Sequence, residues 1–340
     1  MSKVAIIGTT NWGTTLGVLL ARKRMEVKLW ARTEQEAQKL NQQRQNSTFL
    51  SGATFPEHLS VTSHIGDAVE GAALVIWATP AQTMRDNVRV AKDYLEEATL
   101  LMSAAKGLEV GTGKRMSQVI AEEIAFHLRP NICVLSGPNL AREIARGLPA
   151  VSVVAAKGNA VAEKARQILS APNYYLFISN DVAGVELGGA LKNIIALGAG
   201  IIDGLELGDN AKAAFITCGW AEITALGIDL GANPLTFSGP AGLGDLIATC
   251  ASPLSRNHYV GMEIAKGRPL AEVAASTPHV AEGVTTVIAA LDLAGQFKVE
   301  MPITKLIYRV LFQGLELRQA RAELVAIFNP LKSRGFSPGA

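Results

Sequence analysis

One lysine, Lys192, stands in the middle of Val185-Glu186-Leu187-Gly188-Gly189-Ala190-Leu191-Lys192-Asn193-Ile194-Ile195-Ala196-Leu197-Gly198-Ala199-Gly200, an otherwise nearly uncharged run. Wound as a helix, the run puts Gly189, Lys192, Ala196 and Ala199 or Gly200 on one side, where a ligand or another segment can approach closely. Burial disfavours an ammonium and lowers its pKa, so a lysine in such a place exchanges protons near neutral pH and serves as a general acid or base. The alternative is a structural lysine that snorkels to the surface or pairs with Glu186.

Three further stretches carry groups that recognise anions or polar substrates. Ser252-Pro253-Leu254-Ser255-Arg256-Asn257 reads as a helix start with Ser252 as N-cap and Pro253 in the first helical position. Ser255, Arg256 and Asn257 then lie beside free N–H groups at the positive end of a helix dipole, and Arg256 can grip a phosphate through two parallel bonds. A capped helix with a solvated arginine is the plainer alternative. Upstream, the glycine-rich loop 239–245 ends in Asp245, which either faces the site or caps the next helix. Ser136-Gly137-Pro138-Asn139 and Ala104-Ala105-Lys106-Gly107 each follow a strand pattern, at the edge where open α/β sheets bind ligands.

The fourth stretch is Gly8-Thr9-Thr10-Asn11-Trp12-Gly13, a G-x-G-x-x-G fingerprint with threonine in place of its middle glycine. That motif alone is weak, but here it follows the first strand pattern and opens a helical one, the setting in which such a turn holds a pyrophosphate. Thr10 then either pushes the pyrophosphate outward or replaces a water with its hydroxyl. The second strand ends in Trp30-Ala31-Arg32-Thr33 with no acid at its tip, so Arg32 favours NADP(H), with NAD(H) also possible; an exposed charge at a strand end is the alternative.

These groups need a scaffold, and the pattern supplies one. Strand-like runs at 3–8, 26–30, 73–78, 99–103, 132–135, 151–156 and 174–178 alternate with helical stretches at 14–23, 34–45, 81–92 and 114–126. The expectation is an α/β fold with a Rossmann-like, doubly wound, mostly parallel sheet over residues 1–180. Long apolar helical segments follow, predicting a second, all-helical domain over residues 181–332, and residues 333–340, rich in Gly, Ser and Pro, are expected to be a disordered tail.

With 49% hydrophobic and 18% charged residues and a net charge of +2, the composition carries no basic surplus for nucleic acid or a membrane surface. The cysteines, Cys133, Cys218 and Cys250, are far apart and free of metal-ligand spacing, which predicts thiols in a reducing cytoplasm and no metal site. No run of about 18 apolar residues is expected to span a membrane. The five histidines show no ligand spacing, and His258 is the one near the anion turn. The large apolar helical half suggests a homodimer.

Taken together and in this order, the motifs resemble the bacterial NAD(P)-dependent glycerol-3-phosphate dehydrogenase family over nearly the whole chain. The pieces that carry the resemblance are Trp12-Gly13-Thr14, Lys106-Gly107, Ser136-Gly137-Pro138 with Ala141-Arg142-Glu143, Ala190-Leu191-Lys192-Asn193, Gly242-Leu243-Gly244-Asp245-Leu246, Ser255-Arg256-Asn257 and Val280-Ala281-Glu282-Gly283. The resemblance implies hydride transfer between NAD(P)H and dihydroxyacetone phosphate, giving sn-glycerol 3-phosphate, a glycerophospholipid precursor, with Lys192 as acid/base. By the same implication Lys106, Gly137, Asn139, Asp245, Ser255, Arg256 and Asn257 contact substrate. Gly8, Asn11, Trp12, Gly13, Arg32, Lys106, Ala141, Arg256, Val280 and Glu282 line the dinucleotide. Thr10 stands where the family usually has glycine, and Asn11 and Asn139 where serine is usual. A β-hydroxyacid dehydrogenase would share the two halves and the central lysine, although the anion turn favours a phosphate. A dinucleotide sensor without chemistry is a second alternative, against which Lys192, Lys106 and Asp245 count.

Overall fold

The computed structural model describes residues 2–277 and 279–328. Its eight strands are β1 (Lys3–Ile7), β2 (Glu26–Trp30), β3 (Leu59–Thr62), β4 (Ala72–Trp77), β5 (Leu100–Ser103), β6 (Ile132–Ser136), β7 (Ala150–Ala156) and β8 (Tyr174–Ser179). They form one sheet in the order β3-β2-β1-β4-β5-β6-β7-β8. Neighbours run parallel except β6 and β7, which are antiparallel.

The apolar run of β1 explains its central place. Val4 and Ile6 enter the core on one face with Leu16 and Leu20 of the helix Asn11–Arg22, while Ala5 and Ile7 enter the core on the other face with Met84 and Val88. A strand buried on both faces cannot alternate with polar residues, which is why parallel strands read as continuous apolar runs. β3 escaped the sequence pattern because Leu59-Ser60-Val61-Thr62 offers only two inward positions in a turn-rich stretch. The winding reverses between β1 and β4, so the loops at their carboxyl ends lead to opposite sides and leave a crevice between them.

From Val182 onward the described chain is helical. The helix Val182–Gly204 is buried along almost its whole length, in a core with Phe215, Ile223, Val287, Ile303 and Ile307 from the surrounding helices. By length and composition it could cross a membrane, with mean hydropathy 1.5, which corrects the expectation that no such run exists; that apolar window is 100% buried. The helix Arg256–Ala265 packs against it at backbone distance: a Cβ on Gly200 would lie 2.0 Å from the His258 carbonyl oxygen, and one on Gly261 2.0 Å from that of Leu197. This contact fixes the anion turn relative to Lys192.

Two of the boundaries that differ from the sequence expectation bear on the site. The first helix starts at Asn11, not at residue 14, because the Thr10 hydroxyl caps it by accepting from Gly13 N. Ser252 is not an N-cap. It follows the helix Asp245–Ala251, and its carbonyl accepts from Ser255 N in a turn that contains Pro253. The N-cap is Ser255, whose hydroxyl accepts from His258 N, so the helix begins at Arg256. Residues 329–340, including the expected tail, lie outside the described residues.

Candidate active site

Lys192 lies within the helical core at 5% exposure, and its Nζ donates to Asp245 Oδ1 and to Thr249 Oγ1, the latter at 2.5 Å. Asp245, 1% exposed, accepts from Lys106 Nζ through its other oxygen at 2.7 Å. Lys106 also donates to the Gly137 carbonyl at 2.7 Å, which ties the loop after β5 to the loop after β6. One buried carboxylate therefore holds two ammonium groups, one from each half of the chain. Burial lowers the Lys192 pKa to about 8; Asp245 opposes that fall and Lys106 adds to it. The pairing with Glu186 does not form: the Glu186 carboxylate accepts from Arg115 Nη1 (2.5 Å), Ser117 N (2.7 Å) and Ser117 Oγ (2.5 Å), tying the helix Met116–Glu123 to the Lys192 helix. Asp245 does more than begin a helix, since the π-helical turn Pro240–Gly244 before it delivers its side chain to the lysines.

The anion turn sits beside this cluster. Asn257 Nδ2 donates to Asn193 Oδ1 (2.8 Å), and Asn193 Nδ2 donates to the Lys106 carbonyl (3.0 Å). Asn257 Oδ1 accepts from Gly283 N at 2.9 Å. Asn257 thus spends its oxygen and one amide hydrogen inside the protein and works as a brace between three segments. Ser255 Oγ is committed to the cap. Arg256 is half-buried and donates to no described residue, and desolvation lowers its pKa against the pull of Glu282. A guanidinium in that condition is a ready partner for a phosphate.

On the other side of the crevice, Gly8 at φ +113 turns the chain out of β1. A Cβ on Gly13 would lie 2.1 Å from the Gly8 carbonyl oxygen, so that position takes no side chain. The Thr10 hydroxyl accepts from Gly13 N (3.1 Å) and donates to the Ala78 carbonyl (2.7 Å), joining the turn to the end of β4. The Thr10 hydroxyl is thus engaged in holding the turn. Ala141 is buried against the first helix, Thr15 Oγ1 donating to its carbonyl at 3.5 Å, whereas Arg32 and Val280 are exposed. Glu282 Oε1 accepts from Ala81 N at 3.0 Å, and burial pushes its carboxyl up to about 7 against that bond and Arg256.

Several buried polar atoms around the crevice have no protein partner: Asn11 Oδ1, Trp12 Nε1, Thr79 Oγ1, Ser103 Oγ, Ser136 Oγ, Asn139 Nδ2 and Glu282 Oε2. Thr79, Ser103 and Ser136 stand at the carboxyl ends of three successive strands, β4, β5 and β6. Buried polar atoms left orphaned cost stability unless a ligand satisfies them, so this row fits a long polar molecule laid across the sheet edge, as a dinucleotide is. Asn139 belongs to the same row, with its Oδ1 accepting from Ser152 Oγ and Ser152 in turn bonded by Tyr174 OH at 2.9 Å. Gly137, at φ +142, lets its carbonyl face Lys106.

Some members of the site went unrecognised in the sequence. Thr249, four residues after Asp245 and therefore on the same helix face, was detectable from spacing alone. His279, set aside with the other histidines, packs edge-on to Phe49 at 5.3 Å between centroids. No local signal pairs residues so distant in the chain.

Residues 3–162 match the family model described as the N-terminus of NAD-dependent glycerol-3-phosphate dehydrogenase, and residues 181–322 match its C-terminus. A glycerol-3-phosphate dehydrogenase [NAD(P)+] of Dehalococcoides mccartyi is 56% identical over 327 residues, covering 96% of this chain and 91% of that protein. One from Streptomyces avermitilis is 44% identical, covering 95% and 96%. The crystal structure of glycerol-3-phosphate dehydrogenase from Coxiella burnetii superposes with a TM-score of 0.90 at 32% identity, covering 95% of this chain and 98% of that one. The two matched halves, in the order and at the positions of the crevice and the lysine cluster, make this chain a member of the NAD-dependent glycerol-3-phosphate dehydrogenase family.

Proposed function

We propose that the chain reduces dihydroxyacetone phosphate reversibly to sn-glycerol 3-phosphate, with Lys192 exchanging the proton on the C2 oxygen. Family membership makes it an NAD(P)-dependent oxidoreductase acting on a CH–OH group. The observation that carries the residue-level reading is the buried Lys192–Asp245–Lys106 cluster beside an arginine with no partner among the described residues.

A dinucleotide held by Gly8, Asn11, Trp12 and Gly13 would supply or accept the hydride at C2. Negative charge then develops on the C2 oxygen, and Lys192 donates a proton to it; in the reverse direction neutral Lys192 removes that proton. Asp245 aims both ammonium groups, and Lys106 offers the oxygen a second positive charge. Arg256, backed by the Ser255 cap and the Asn257 brace, holds the phosphate, so that binding energy at a remote group orients the reacting carbon. Gly137, whose carbonyl accepts from Lys106, and Asn139 complete the assigned substrate contacts. Gly8, Asn11, Trp12, Gly13, Ala141, Val280 and Glu282 are assigned to the dinucleotide, which the row of orphaned atoms supports.

Both nicotinamide dinucleotides are used, and exposed Arg32 at the end of β2 supports a preference for NADPH. The reading also divides the chain near residue 180, supported by the end of β8 at Ser179 and the start of the central helix at Val182. It places the enzyme in the cytoplasm with its three free thiols, and as a homodimer, supported by Tyr175 and Phe177, each 58% exposed on edge strand β8.

The test follows dihydronicotinamide absorbance with dihydroxyacetone phosphate in the native chain and in Lys192→Met. Loss of a positioned proton donor is expected to lower kcat by ~100- to 10,000-fold while NADPH still binds. An unchanged kcat would remove Lys192 from the mechanism.

A further inference from the structure

The second helix, Glu34–Gln43, opens on Thr33-Glu34-Gln35-Glu36, a spacing that in a reciprocal capping box turns the fourth side chain back onto the first residue's N–H. Only half of that box forms here. Thr33 Oγ1 accepts from Glu36 N at 3.2 Å, but the Glu36 carboxylate faces the other way and accepts from Thr9 Oγ1 at 2.6 Å. Thr9 lies in the glycine turn, and Asn46 fixes it by donating to the Thr9 carbonyl (2.8 Å) and to Thr14 Oγ1 (2.9 Å). The Thr9–Glu36 bond therefore bridges the space between the turn after β1 and the helix after β2. In a doubly wound sheet that space receives the ribose whose 2′ position distinguishes NADH from NADPH.

The charges there oppose each other. Arg32 is exposed and donates to no described residue, so it is free to meet a 2′-phosphate. Glu36 is half-buried and held in place. A 2′-hydroxyl can donate to the Glu36 carboxylate, whereas a 2′-phosphate brings roughly two negative charges towards it. Glu34 shares the first turn of the same helix, so acids already occupy a helix N-terminus that would otherwise attract a phosphate.

We infer that Glu36 is a specificity-determining residue: fixed by Thr9 at the ribose 2′ position, it offsets Arg32 and keeps NADH usable beside NADPH. The inference rests on the reading of the glycine turn as the dinucleotide site. Glu36→Gln retains an acceptor for the Thr9 hydroxyl and deletes the charge. Calorimetric titration of the full chain with 2′,5′-ADP and with 5′-AMP reads the 2′ site without any turnover, and fluorescence titration with NADPH and NADH reads it in the whole dinucleotide. The expected result is a gain of roughly tenfold in the NADPH-to-NADH affinity ratio, and in the ratio of the two fragments, from removal of one charge at short range. Arg32→Ala placed on top of Glu36→Gln is expected to erase the gain. An unchanged ratio, or one that moves towards NADH, overturns the inference while leaving the cofactor site standing. Failure of the native chain to bind either dinucleotide overturns both.

Discussion

Asp245→Asn tests the proton chemistry most directly, because it changes a charge and almost nothing else. The native carboxylate accepts from Lys192 on one oxygen and from Lys106 on the other, 2.7 Å away. Burial holds the Lys192 pKa near about 8, and Asp245 is the largest influence resisting a further fall. Asparagine keeps the shape and one acceptor but removes the opposing charge, so the Lys192 pKa drops by ~1–3 units. At pH 7 a group with pKa 8 is about nine-tenths protonated, and after a fall of ~1.5 units only about a quarter is. Reduction of dihydroxyacetone phosphate needs the protonated lysine and oxidation of sn-glycerol 3-phosphate the neutral one. Native kcat should therefore decline with rising pH through about 8 in reduction and climb through the same value in oxidation. In Asp245→Asn both limbs shift to lower pH, leaving oxidation nearer its plateau at neutral pH than reduction. The assay is kcat in both directions from about pH 5.5 to 10, where the limbs report groups in the enzyme–substrate complex. A limb that stays in place or moves upward would refute Lys192 as the titrating group.

Three further outcomes follow from neighbouring geometry. Arg256→Ala should raise KM for dihydroxyacetone phosphate by about 30- to 100-fold, the loss of a charge-assisted phosphate contact. Because Arg256 donates to no described residue, the melting temperature should hold. Lys192→Met, inactive by the mechanism above, should melt higher than the native chain at neutral pH. The folded pKa of about 8 lies below the ordinary 10.5, so the charged lysine costs the fold stability below pH 8, and the cost is relieved as pH rises from 8 to 10.5. Glu222 should behave oppositely. Its carboxylate caps the helix Pro302–Phe312 by accepting from Ile303 N, Thr304 N and Thr304 Oγ1, and burial pushes it up to about 7 from 4.5. Its contribution is complete below 4.5 and fades as pH rises through about 7. In Glu222→Gln that fade should vanish from melting curves, and the amide group turned on a backbone N–H should cost about 1–3 kcal/mol.

The parallel sheet was legible because each of its central strands is buried on both faces and therefore reads as an apolar run, as Val4 to Ile7 and Leu74 to Trp77 do. β3 was not, since an edge strand four residues long needs few inward side chains. Lys192 was conspicuous for a different reason, as a charge in an apolar helix, whereas Asp245 and Lys106 were joined to it only through the family resemblance. Capping was harder. Ser252 and Ser255 are chemically equivalent as N-caps, but the Ser252 hydroxyl accepts from Leu254 N in the turn around Pro253, whereas the Ser255 hydroxyl accepts from His258 N and opens the helix. Glu36 shows the limit of local reading. Inspection of the strand tip finds Arg32 and no acid, yet the acid arrives from the next helix, turned out of its capping box by Thr9, which is 27 residues away.

The arrangement of charge explains why the chain needs both halves. A lone lysine in the helical core would shed its proton, because desolvation outweighs everything else acting on it. Asp245, buried at the start of its own helix, resists that loss. Lys106 from the sheet half leaves the cluster one positive charge in surplus. That surplus becomes favourable as an oxygen of the substrate turns negative, so the interaction is stronger in the transition state than before it. Because Lys106 arrives on a loop at the end of β5, docking of the two halves is a condition for chemistry.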